Sequence, residues 1–186
     1  LPEIALTPQI ANIFKKRFNI STYLLFFTLL IMCIIVFRKI SIFFILTLIV
    51  STFTYINYYI KLPIDISPVI FLGLVFSRDI GIFGAIMFII ASGIIPMVLA
   101  GGSFDHTTLF YLTLIILINY ASLFFLKLPF LYIAFSLIIL HHVIAFFGSI
   151  SFGTPKHKEM INLIVKIFVD SFYILTFSEF IFYLMR

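Results

Sequence analysis

The chain alternates long apolar runs with short polar breaks, and the run lengths predict its elements. Residues 20–37 carry no charge before Arg38-Lys39 interrupts. A helix rises about 1.5 Å per residue, so this run covers about 27 Å, close to the hydrocarbon thickness of a bilayer. Runs of similar or greater length follow over 40–60, 80–100, 108–126, 129–147 and 160–184. One run is shorter. Residues 68–76 rise only about 14 Å before Ser77-Arg78-Asp79, half a membrane, which fits either a re-entrant half-helix or a short tilted span. Ahead of the spans, Leu6, Ile10, Ile13 and Phe14 share one helical face and Lys15-Lys16-Arg17 follow. That pattern predicts an amphipathic segment over 1–19 lying on the membrane surface, or a partner-binding helix.

The breaks carry turn and cap chemistry. Residues 61–68 contain Pro63 and Pro68, with Asp65 or Ser67 placed to cap the next helix. Gly101 and Gly102 open a second loop in which Asp105 or Thr107 caps the following span, and residues 148–159 form the longest polar loop. The expected fold is all-α and integral to the membrane: a multi-pass bundle of six long transmembrane helices plus one short or re-entrant helix. After the segment 1–19, residues 20–186 are expected to form a single transmembrane domain.

Composition removes the alternatives. The chain is 63% hydrophobic and 10% charged, with a mean hydropathy of +1.28. Soluble domains sit nearer 45–50% apolar and about 25% charged, so this chain lacks the polar residues to cover a surface in water. It is also too hydrophobic for disorder. Cys33 is the single cysteine, which excludes an internal disulfide framework and a cysteine-based metal site. The net charge is +5, but the basic residues mark the ends of apolar runs, where headgroup contact explains them without nucleic acid. Those charges do not fix orientation. If 68–76 spans, Lys15, Lys16, Arg17, Lys61, Lys156 and Lys158 face one side and Arg38, Lys39, Arg78, Lys127 and Arg186 the other. If it is re-entrant, Arg78 joins the first side, the later loops exchange sides, and the resulting excess of basic residues weakly favours a cytoplasmic N-terminus.

Polar groups inside apolar runs are the functional candidates, because ionisable side chains in a bilayer are costly to keep. Lys166 and Asp170 are four apart and can form an intrahelical pair, which would turn the 166/170/173/177 face inward with Tyr173 and Phe177. Glu179 lies nearly opposite on the wheel, closer to the interface. His141 and His142 point about 100° apart and cannot ligate one metal together; Asp170 is a plausible partner for either. Asn119 lies near mid-span. Asn119, His141, His142 and Asp170 are therefore the candidate substrate-binding residues, each with the bland alternative of hydrogen bonding between helices. Gly81, Ala85 and Ser92 share a small-residue face that predicts close helix packing. Asp105-His106 superficially resembles a catalytic pair, but its loop reads as a cap, and no nucleophile, zinc or nucleotide motif accompanies it. No enzymatic activity, cofactor or metal is expected.

The stretch 62–125 has a recognisable layout: a Pro-containing loop, the short helix P-V-I-F-L-G-L-V-F at 68–76, the corner R-D at 78–79, the Gly-rich G-I-F-G-A-I at 81–86 and a Gly-Gly turn at 101–102. It resembles the substrate-binding S components of energy-coupling-factor (ECF) vitamin transporters, and nearly as closely the rod-shape protein MreD. Residues 40–60 differ from the S-component pattern in having no alanine, and 91–100 lacks the acidic residue expected of MreD. The first resemblance implies a cell-membrane protein that binds a small molecule for uptake and meets a coupling subunit. The second implies a non-catalytic scaffold or assembly subunit of a membrane complex. The lipid bilayer is a partner under both.

Overall fold

The computed structural model of the protein describes residues 23–25, 27–29, 31–32, 37–62 and 66–185. The segment expected over 1–19, most of the span expected over 20–37, and the candidate cap Asp65 lie outside the described residues. By internal contacts the chain divides into Leu1–Arg38 and Lys39–Arg186. Described residues between 23 and 32 are helical. The bundle below belongs to the second unit.

Its helices are α1 (Arg38–Ile60), α2 (Val69–Asp79), α3 (Ile82–Leu99), α4 (His106–Ser122, prolonged by a tighter turn at Leu123–Phe125), α5 (Phe130–Ser151) and α6 (Lys156–Met185). Among the described residues there is no strand. All but α2 are long and apolar enough to cross a membrane, giving five such helices among the described residues. The fold is an α-helical, multi-pass membrane bundle. Its outward residues are large and apolar, with Phe83 82% and Phe168 74% exposed, while Ser77, Ser92, Asn119, Ser122, His141, His142 and Asp170 are buried. That distribution suits lipid outside and hydrogen bonding between helices inside.

The short helix α2 lies at the centre. It contacts α3, α4, α5 and α6 and buries Val69 and every residue from Phe71 to Ser77. Phe76 meets Phe88 of α3 edge-on at 4.8 Å and Phe43 of α1 at 5.0 Å. Because its surroundings are protein, α2 need not match the bilayer thickness. Lys39 at the start of α1 pairs with Asp79 at the end of α2, 3.0 Å apart. Tyr58 near the end of α1 and Val69 at the start of α2 line one cavity. The two helices are thus antiparallel, and residues 66–79 run from the end of the bundle that holds Tyr58 toward the end that holds Lys39.

One expectation about α3 is corrected. The helix begins at Ile82, and Gly81 lies outside it with φ +101°, left-handed backbone that favours glycine in the tight turn from α2. Gly81 therefore serves the turn, whereas Ala85 and Ser92 are fully buried on the inner face. Within α3, residues Ile90–Ile94 form a wide π turn. Pro96 supplies no N–H for the carbonyl of residue 92, and its ring would crowd that carbonyl in a regular helix. The wide turn absorbs the conflict, and Ser92 Oγ donates to Phe88 O at 2.7 Å.

On α6 the buried line is Asp170, Ile174, Ser178, Ile181 and Met185. Tyr173 is half-buried and Phe177 is exposed, so the expected 166/170/173/177 face is rotated: Asp170 points inward while Phe177 reaches the outer surface. Glu179 is exposed.

Candidate functional site

Because α2 fills only half the depth of the bundle, space remains beyond its N-terminus. A cavity of about 270 Å³ occupies it, walled by the C-terminal halves of α1, α3 and α5, the N-terminal halves of α4 and α6, and the start of α2. On α6 the lining runs from Glu159 through Asn162 and Lys166 to Asp170, a rise of about 16 Å from the loop end toward mid-bundle.

The inner end is polar. His142 Nε2 lies 2.7 Å from Asp170 Oδ2, with both side chains almost wholly buried. The neighbouring ring of His141 stands edge-on to His142 at 5.0 Å. His141 is 3% exposed, and neither ring nitrogen has a hydrogen-bond partner among the described residues. Thr54 Oγ1, on the α1 wall, is likewise buried and unpartnered. Toward the loops, Asn162 Nδ2 donates to Glu159 Oε1 at 3.3 Å, and the hydroxyls of Tyr111 and Ser149 are hydrogen-bonded. The start of α2 is held from α6: the Tyr173 hydroxyl donates to Ile66 O at 3.0 Å, and its ring stacks on Phe71. The π turn forms part of the α3 wall with Gly93 and Ile94.

Of the residues singled out in the sequence, His141, His142 and Asp170 come together at this cavity, with Lys166 beside them. The expected Lys166–Asp170 pair is corrected. Asp170 bonds across to His142 on α5, and Lys166 makes no ion pair among the described residues. Asn119 is corrected too. It does not line the cavity but is buried against α2, its Nδ2 donating to Ile115 O at 2.8 Å. A Cβ on Gly73 would stand 3.1 Å from that amide, so glycine is what lets α2 and α4 approach here. Asp105 caps α4: it accepts from the Thr108 N–H at 2.9 Å, and that bond holds its carboxyl below the usual carboxylate range. His106 packs its ring on Phe152 instead of joining Asp105 in a catalytic pair.

The lining residues Glu159 and Asn162 were not singled out from the sequence. Their signal was present: Glu159, Asn162, Lys166 and Asp170 recur at helical spacing and form one polar stripe on an otherwise apolar helix. Tyr111 carried no such signal. Among the described residues no three His, Cys, Asp or Glu side chains are gathered as metal ligands.

No protein-family model, curated protein or solved structure matches the chain.

Proposed function

We propose that this is a non-enzymatic, small-molecule-binding protein of the cell membrane, similar to the S components of ECF transporters, with six long spans when 20–37 is counted. The observation that supports this reading is the cavity. Protein interiors pack closely, and a bundle serving only as a scaffold has no use for an open space lined by unpartnered polar groups. At about 270 Å³ the cavity falls just below the roughly 300–1,000 Å³ of pockets that hold drug-sized ligands, so it has room only for a smaller molecule. His141, the His142–Asp170 pair and Lys166 converge on it, and Ile70, Ile89 and Leu112 supply an apolar wall. In the MreD-like alternative the same polar groups would satisfy one another, which His141 and Thr54 do not.

Equilibration of the purified protein with a small-molecule extract tests this, with retained compounds read by mass spectrometry. Ala145 lines the cavity and is buried, so Ala145→Phe should fill it. The expected result is a compound retained by the parent chain and lost in the filled variant. Identical retention profiles for the two would remove the binding reading.

A further inference from the structure

The hydrogen-bonding capacity left over in the cavity is mostly donor capacity, and this points to the sign of what it holds. Helix α2 begins at Val69, after Pro68, with no side-chain cap among the described residues, and its first backbone bond is Leu72 N–H to Pro68 O at 3.0 Å. The amides of Val69, Ile70 and Phe71 precede that bond and have no carbonyl within the helix to receive them. Val69 and Ile70 line the cavity. A helix N-terminus carries roughly half a positive charge, and half-helices inside membrane bundles aim that end at anionic groups. The position is held by the Tyr173 hydroxyl, bonded to Ile66 O just ahead of it.

Three side chains can add donors, of which only Lys166 adds charge. His141 is buried, lines the cavity and has a free ring N–H to offer in either neutral tautomer. Thr54 offers a hydroxyl. Lys166 brings an ammonium without an ion pair among the described residues. Asp170 is paired with His142, and Glu159, which accepts one bond from the neutral Asn162 amide and keeps its charge, lies about two turns from Lys166 toward the loop end.

We propose that the cavity binds a small carboxylate-bearing molecule, its carboxylate received by the α2 N-terminus and His141 and balanced by Lys166. This rests on the binding reading above and adds the class of ligand.

The test is titration calorimetry on the full chain in nanodiscs, against empty nanodiscs, with three probes that share a ring: benzoate, benzamide and benzylammonium. Benzoate should bind at least about tenfold more tightly than the other two. His141→Phe and Lys166→Met should each raise the benzoate Kd by roughly fivefold or more and leave benzamide unchanged. Lys166 is only partly buried, so its variant remains informative should the His141 variant fold poorly. Absence of benzoate binding overturns the proposal. So does equal or tighter binding of benzamide or benzylammonium, or indifference of benzoate to both substitutions. The extract experiment is independent: retention of compounds without an acidic group sinks the anion assignment and leaves the binding reading standing.

Discussion

Among the described side chains, His141 is the one with two buried polar atoms lacking a hydrogen-bond partner. A buried polar group without a partner costs about 1–3 kcal/mol, and His141 leaves two nitrogens unpaired. His141→Phe keeps a ring and removes that demand, so the ligand-free protein should melt higher by an amount corresponding to about 1–2 kcal/mol. A lower melting temperature would show that the imidazole is structurally needed. Asp170 is the opposite case, since it satisfies His142. Asp170→Ala strands that histidine and should destabilise by about 3–5 kcal/mol, as breaking a buried pair does. Asp170→Asn retains an acceptor and should recover much of the loss; equal denaturant midpoints for the two variants would contradict the assignment. The sequence exposes these residues because ionisable groups stand out in apolar runs. It does not expose their partners. Spacing along α6 offers Lys166 to Asp170, whereas packing brings His142 from another helix. The same blindness separates Asn119 from the cavity, because its neighbour Gly73 is 46 positions away.

Among the elements, α2 is the least self-sufficient, being short and without a side-chain cap among the described residues. Arg78 fixes its other end. One guanidinium nitrogen donates to Leu126 O at 2.6 Å and Leu128 O at 2.9 Å, closing the corner between α4 and α5, and the group lies 5.6 Å from the Phe130 ring centre. Arg78→Ala should destabilise by about 1.5–3 kcal/mol, the range for hydrogen bonds to a charged donor. Arg78→Lys should rescue little of this, because a point charge does not reproduce the planar contact with the ring. Full rescue by lysine, measured as an unchanged melting temperature, would reduce the role of Arg78 to charge alone. The sequence makes the helices themselves legible, since run length and hydropathy decide them, and it places the breaks at Pro68, Gly101 and Pro129 within a few residues. The π turn is not legible. The run 80–100 predicts a helix that continues past Pro96, as it does to Leu99, but hydropathy does not mark the widened turn that accommodates the proline. The rotation of α6 is hidden for a similar reason: Tyr173 and Phe177 are apolar on a helix whose exposed side faces lipid, so hydropathy cannot distinguish inside from outside.

For the whole molecule, the direction of α2 fixes the topology of everything after it. The Lys39–Asp79 pair puts the start of α1 and the end of α2 at one end of the bundle, and the cavity puts Tyr58 and Val69 together toward the other. Each later helix then reverses direction through a short turn. The loops near Lys61, Ser103 and Gly153 therefore share the cavity end, and those near Ile80 and Lys127 share the opposite end. A re-entrant α2 would instead put Lys61 and Ile80 on one side and Ser103 on the other. Basic residues do not decide between these, because both ends carry them: Lys61, Lys156 and Lys158 at the cavity end, and Arg38, Lys39, Arg78 and Lys127 at the other. Chemical access does. With Cys33 replaced by serine, single cysteines at Lys61, Ser103, Gly153, Ile80 and Lys127 can be treated in intact cells with a membrane-impermeant thiol reagent. Positions 61, 103 and 153 should respond alike, and 80 and 127 should show the opposite accessibility. Labelling that groups 61 with 80 and separates both from 103 would refute a traversing α2. The same measurement shows which compartment the mouth of the cavity faces: labelling of 61, 103 and 153 from outside places it toward the exterior, the side from which an uptake protein must receive its ligand.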